Sequence, residues 1–539
     1  MMFRILFLLV CVTPVFNLFG QEPYVSKVWV ADNGDGTYTN PVLFADYSDP
    51  DVVRSGDDYY MVASSFNCSP GLPILHSRDL VNWKLINYAV AKLPPYDVFD
   101  TVKHGGGIWA PCIRLHKNEF YIYFPDPDFG IYMTKTTNPA GEWSEPLLVQ
   151  PGKGLIDPTP FWDEDGKAYL AFAFAGSRAG VKSILMVSRM KSDGTALLGN
   201  SVMVFDGHDG HPTVEGPKFY KRNGYYYIFA PAGGVKPGWQ LALRSKNIFG
   251  PYEVKKVLAQ GQSDINGPHQ GAWVTTQTGE DWFLHFQDMG IYGRVVHLNP
   301  MKWANDWPVI GIDSDGDGCG EPLRNFKKPN VGKSYPVETP VESDEFNGAE
   351  LGLQWQWHAN PQVAWGFPSG NLGYFRLNCI PKPVGSLNLW NASNLLLQKF
   401  PADEFQATAK VTFNARFDKE EFGLVAMGMS YARIGVVRED GKLWLQQATC
   451  AKADKEAKEM VYDRIALYFN ALYLRMKVEN GGVCRLSYSI DGDEFTTVGG
   501  SFTLREGMWI GAKMGFYALR EGAINDAGAV DIDWFRIEK

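Results

Sequence analysis

The chain has few of the residues that metal and redox chemistry depend on. It has seven cysteines and nine histidines in 539 residues, and no two cysteines stand at the close spacing of a zinc or dithiol motif. Cys11 lies in the leader, and the other six, Cys68, Cys112, Cys319, Cys379, Cys450 and Cys484, are scattered. A chain this long, 45% hydrophobic, can build its core without disulfides, so these thiols read as well free and buried as bridged. A basic excess is missing too: 51 Lys and Arg stand against 60 Asp and Glu, a net charge of −9, which argues against nucleic acid as a partner. Long apolar runs are confined to the first twenty residues. There Arg4 precedes an apolar stretch from Ile5 to Phe19, broken by Pro14 and Asn17, the pattern of a secretory leader rather than a membrane span. The expectation is an exported, periplasmic or extracellular protein that is not integral to a membrane. Leu8-Leu9-Val10 before Cys11 is a faint lipoprotein signal, and Val10 directly ahead of the cysteine disfavours lipid anchoring.

A long helical period is also missing, and a repeated unit stands in its place. Openers fall at Asp49 (Ser48-Asp49-Pro50), Trp109 (Ile108-Trp109-Ala110-Pro111), Asp157 (Ile156-Asp157-Pro158), Glu215 (Val214-Glu215-Gly216-Pro217) and His269 (Gly267-Pro268-His269-Gln270-Gly271), separated by 60, 48, 58 and 54 residues. A period near fifty belongs to blades or arrays. After each opener a polar turn runs into an aromatic strand, as in Gly56-Asp57-Asp58-Tyr59-Tyr60 and Asn223-Gly224-Tyr225-Tyr226, which reads as a hairpin. Short strands in five such units predict an all-β, five-bladed β-propeller. A long sandwich or solenoid is the weaker alternative, since the repeat length fits a blade better.

Propeller geometry brings distant openers together, because the innermost strands of all blades line one axis. Two aspartates, a glutamate, a tryptophan and a histidine would then meet at one channel mouth. Two carboxyl groups flanking a glycosidic oxygen can cleave it, one as acid and one toward water or the sugar; a third raises the acid's pKa by repulsion. Asp-Pro and Gly-Pro are also ordinary turn pairs, but three acidic residues at equivalent positions of one repeat exceed what turn chemistry needs. Asp51 points to the opposite face of its strand and reads as structural.

Asn40-Pro41-Val42, Tyr47-Ser48-Asp49-Pro50-Asp51-Val52, Gly107-Ile108-Trp109-Ala110-Pro111, Ile156-Asp157-Pro158, Glu215-Gly216-Pro217 and Gly293-Arg294-Val295-Val296-His297 resemble the β-xylosidases and α-L-arabinofuranosidases of glycoside hydrolase family 43. The resemblance implies an exo-acting, inverting enzyme that removes terminal pentose, β-D-xylose first, from hemicellulose oligosaccharides or xylan side chains, with arabinofuranose as the alternative. It implies Asp49 as general base, Glu215 as general acid and Asp157 as modulator of the acid's pKa. Trp109 and Arg294 would bind the terminal sugar. His269 matches a histidine that in many relatives binds a calcium ion or its water shell. No cofactor is required for the chemistry, and calcium would be structural. Each of the last three residues has a plainer role available: core aromatic for Trp109, ion-pair partner for Arg294, and core histidine for His269, since calcium prefers oxygen donors.

The propeller is expected over 21–324 after a leader at 1–20, with a polar linker at 325–341 and a second domain at 342–539. Alternating segments such as Phe405–Val411, Leu472–Val478 and Cys484–Ser489 read as antiparallel strands with one buried face, hence a β-sandwich. Its opening Asp344-Glu345-Phe346-Asn347-Gly348 and closing Asp531-Ile532-Asp533-Trp534-Phe535 resemble the concanavalin-like domain of the same family. In some relatives that domain sends an aromatic side chain into the active site; aligning Trp509-Ile510-Gly511-Ala512-Lys513 puts Lys513 there. Asp313-Ser314-Asp315-Gly316-Asp317-Gly318 opens like an EF-hand loop, but the twelfth position is Arg324, not the bidentate glutamate, so it reads as a polar turn. Two other classes remain to be weighed. A carbohydrate-binding propeller has no need to cluster like charges, and a retaining fructan hydrolase carries Glu-Cys where this chain has Glu215-Gly216.

Overall fold

Residues 22–522 and 525–539 are described by a computed structural model; the leader at 1–20, with Cys11, lies outside them. Five four-stranded antiparallel sheets, each in simple sequential order, follow one another. Their innermost strands are Asp51–Ser55, Cys112–His116, Leu155–Trp162, Lys218–Arg222 and His269–Thr275, and each blade contacts the next round the ring, the fifth returning to the first. The chain forms a five-bladed β-propeller.

The ring closes because every gap between blades is filled by its own apolar cluster. Met61 and Leu75 of the first blade meet Ala272 and Leu284 of the fifth. Val62 and Ile74 meet Ile113 and Ile122 of the second, whose Tyr121 and Tyr123 meet Leu170 and Phe172 of the third. Ala171 and Leu185 meet Ile228 and Leu241 of the fourth, and Tyr227 and Phe229 meet Phe283 and Ile310 of the fifth. Each such large side chain contributes about 1.5–3 kcal/mol on burial, so the blades stabilise one another. The hairpin turns sit where the polar pairs predict them. Asn223 (φ +51°) and Gly224 (φ +71°) join the first two strands of the fourth blade, with positive φ at both central residues as the strand twist requires. A further pairing ties the ends: Val296 of the fifth blade exchanges backbone hydrogen bonds with Leu43, at 3.0 and 3.3 Å.

The segment expected as linker begins with a strand, Asn325–Lys327, paired to Thr37–Thr39. The second domain has two eight-stranded sheets stacked as a concanavalin-like sandwich. Along Ala471–Glu479, Leu472, Leu474, Met476 and Val478 face in and their neighbours face out, the alternation of a half-buried strand. Asp344 and Phe535 exchange two backbone hydrogen bonds of 2.7 Å, so the opening and closing motifs of this domain meet. Its core continues into the propeller through Val28, Phe44, Tyr292 and Val295. The two domains therefore share buried apolar surface. The six described cysteines are free thiols, and among the described residues no helix is long and apolar enough to cross a membrane.

Candidate active site

Four of the five openers carry a left-handed bend, on the opener itself or on the residue after it. Asp49 and Asp157 both adopt φ +56°, and the residues after Glu215 and His269, Gly216 and Gln270, adopt φ +57° and +34°. Left-handed backbone at non-glycine residues is strained, tolerable for aspartate, and gathers at functional sites. The ladder slips at two of these points, between Ile156 and Thr159 and between His269 and Gly271. Such bulges re-aim a side chain out of the sheet, here toward the axis.

All six residues singled out from sequence, Asp49, Trp109, Asp157, Glu215, His269 and Arg294, line one cavity of about 330 Å³ at one end of the channel, together with Phe66, Gln270 and Trp509. Asp49 is buried, and its Oδ2 accepts hydrogen bonds from Ser64 Oγ at 2.5 Å and Ser48 Oγ at 3.2 Å. Arg294 Nη1 lies 3.3 Å from both carboxylate oxygens. Asp157 Oδ2 accepts the Gly216 N–H at 2.7 Å, so Asp157 grips the turn that carries Glu215. Glu215 keeps 23% of its side-chain surface accessible at the cavity and lies 3.4 Å from His269 Nε2. Trp109 is fixed by its indole N–H on Gly105 O at 3.0 Å.

Glu215 and Asp157 are both raised, to different extents. Burial, then the negative charges of Asp157 and Asp49, push Glu215 up to about 8. Burial likewise raises Asp157 to about 6, against the Gly216 N–H that favours its charged form. The pair titrates as a unit, and near neutral pH Glu215 is the member that keeps a proton. His269 goes the other way: burial and the nearby Arg294 cation lower it to about 3, which makes it a neutral imidazole beside the acid.

Lys513 does not reach the cavity. It starts the strand Lys513–Arg520, is buried beneath the site, and donates from Nζ to Cys68 Sγ at 2.9 Å and Gln356 Oε1 at 3.1 Å. The aromatic side chain from the sandwich is Trp509, four residues earlier, in the loop that precedes this strand. Its ring stands edge-on to Trp109 with centroids 6.3 Å apart, and 5.9 Å from the Arg294 guanidinium. The strand-forming Lys513-Met514-Gly515 draws an alignment to itself, whereas the residue that crosses to the other domain sits in the loop.

Sequence reasoning also passed over Ser64 and Gln270. Gln270 packs so closely on Gly216 that a Cβ there would lie 2.8 Å from its Cγ, and its amide favours the ionised form of Asp157. Its position beside His269 in a repeat opener was the available signal; Ser64 carries none. Asp51 accepts Arg114 Nη1 at 2.6 Å and is wholly buried; the structural role expected of it is that of an ion-pair partner.

Neither ring nitrogen of the buried His269 has a hydrogen-bond partner, and among the described residues no set of three carboxylate, imidazole or thiol ligands converges on it. That donor set does not fit a calcium ion held directly by protein side chains. Asp313, Asp315 and Asp317 do converge, yet they cap their own turn. Asp313 accepts the N–H groups of Gly316 and Gly318, and Asp317 that of Cys319. Arg324, at the twelfth position, pairs with Asp264 at 2.6 Å.

Comparison with known proteins agrees with both halves of the chain. The model of glycosyl hydrolases family 43 matches residues 38–308, and that of the beta xylosidase C-terminal concanavalin A-like domain matches 343–538. A protein of Xylanibacter ruminicola, provisionally named a beta-xylosidase, is 39% identical over 498 residues, 91% of this chain and 88% of its own. A non-reducing end alpha-L-arabinofuranosidase of Bacteroides ovatus is 28% identical, covering 93% and 94%. Among solved structures, a family 43 protein from Bacillus licheniformis superposes with a TM-score of 0.79 at 26% identity, over 93% of this chain and 99% of that one.

Proposed function

Because the chain belongs to glycosyl hydrolases family 43, we propose that it is an exo-acting, inverting glycosidase that removes terminal β-D-xylose from xylo-oligosaccharides or xylan side chains. The observation that carries this is one pocket in which burial and two neighbouring carboxylates hold Glu215 protonated, while Asp49 faces a hydroxyl and a guanidinium. A carboxyl group kept protonated by burial and like charge is suited to the acid role. Glu215 gives its proton to the leaving oxygen. Asp49 accepts a proton from the water that attacks the opposite face of the sugar, and the product emerges with inverted configuration. Asp157 touches neither bond; it holds Glu215's turn and keeps its proton in place. Trp109 and Trp509 wall the pocket and Arg294 offers hydrogen bonds to sugar hydroxyls, so that only a chain end enters. No cofactor takes part, and a calcium ion at His269 would have to be held through water. Export, resting on residues 1–20, belongs to the same proposal.

The Bacteroides ovatus relative supports a second reading, release of α-L-arabinofuranose. Purified protein assayed on nitrophenyl β-xyloside and nitrophenyl α-arabinofuranoside separates them: the first reading expects a higher kcat/KM on the xyloside. A preference for the arabinofuranoside favours the second reading, and inactivity on both would sink them together.

Asp157→Asn tests the third carboxylate. Glu215 works as an acid only while protonated, so activity falls as pH rises through its pKa, near 8. With the Asp157 charge gone that pKa drops, and the alkaline limb of the kcat/KM profile should move about one unit toward acid. An unmoved limb with full activity would leave Asp157 as a turn residue.

A further inference from the structure

Asp46 stands three residues before the proposed base, is buried, and is not among the cavity-lining residues. Its carboxylate is divided between the two domains. Oδ1 accepts the backbone N–H of Arg294 and Oδ2 that of Gly511, each at 2.9 Å. The loops it joins touch backbone to backbone: Ala512 N–H donates to Ile291 O at 2.7 Å, and a Cβ on Gly511 would lie 2.7 Å from the Gly293 nitrogen. Gly293 itself has φ +78°, and a Cβ there would meet Asp46 Cγ at 2.3 Å. Trp509, two residues before Gly511, is 47% exposed and adopts φ +65°. A half-exposed ring on a strained backbone needs its loop fixed elsewhere, and charge-assisted hydrogen bonds to one carboxylate are strong enough to do it.

We infer that Asp46 is a positioning residue that sets Trp509 of the sandwich over the sugar site, in register with Arg294 and Asp49, and thereby strengthens binding of the chain end. It makes no contact with the reacting atoms. On the other side of the carboxylate lie two lysines: Lys399, half-buried with Nζ 5.1 Å from the Tyr47 ring centre, is lowered to about 7 by burial and by Lys513, with Asp46 opposing the shift. The inference rests on the proposed function for its kinetic readout but not for its structural one.

The test is a double-mutant cycle on the full chain with nitrophenyl β-xyloside. Loss of one charge-assisted hydrogen bond predicts that Asp46→Asn raises KM about tenfold, with kcat changed less than about threefold. In a Trp509→Ala background the same substitution should add less than about twofold, since residues acting through one another are non-additive. Gly511→Ala, which pushes the loop off Gly293, should reproduce the KM effect and decides the matter if Asp46→Asn does not fold. A KM effect of equal size with and without Trp509, or a fall in kcat at constant KM, would overturn the inference. Should the parent protein cleave no pentoside, the functional reading fails separately. Acrylamide quenching of the Trp509 emission, taken as the difference from Trp509→Phe, then decides: it should rise in Asp46→Asn, and unchanged quenching refutes the role.

Discussion

Glu215→Ala should lower kcat/KM on xylobiose by about a thousandfold or more, while an aryl xyloside with a good leaving group loses only about tenfold, because such a group departs without a proton. The alkaline limb of the pH profile should disappear in the same variant, since the group that titrates near 8 is gone. The selectivity follows from the site. Glu215 is the carboxyl kept neutral by burial and by two like charges, and its accessible edge faces the cavity. Losses of equal size on both substrates would mean that Glu215 does not donate the proton.

Asp49→Ala should lower kcat on both substrates by about ten-thousandfold, without regard to leaving group, because every substrate needs the activated water. Among the described residues, neither of the pocket's other carboxyl groups is placed to substitute for it. Asp157 is committed to the Gly216 N–H, and Glu215 holds its proton near neutral pH. The same leaving-group dependence in both variants would show that acid and base have been exchanged or misassigned. Both variants should fold, since Asp49 and Glu215 line a cavity instead of filling one of the apolar clusters between blades.

What could be read from the chain follows what the physics repeats. The five openers were legible because each blade must turn into its innermost strand at a corresponding place, and three of those turns carry carboxylates. Hairpins such as Asn223-Gly224 were legible because only a few residues tolerate positive φ at both turn positions. The strands between them were harder. Ala168–Phe174 is buried on both faces between neighbouring blades and shows no alternation, while Leu197–Asp206, at the rim, is largely exposed and shows no apolar face. Trp509 was misplaced by four residues because a loop has no period to align on, and its partner Trp109 lies 400 residues earlier in another domain. Ser64 and Asp46 were invisible for a related reason: each acts through contacts between segments distant in sequence, which no local pattern records.

The most direct measurement is proton NMR of the pentose first released from a β-xyloside, recorded before mutarotation. Water delivered by Asp49 from the face opposite Glu215 must yield α-xylose first, with the β-anomer growing in only as the sugar equilibrates. β-Xylose as the initial product would mean a covalent, retaining route, and would contradict Asp49 as base and the pairing of carboxylates on which the proposed mechanism stands.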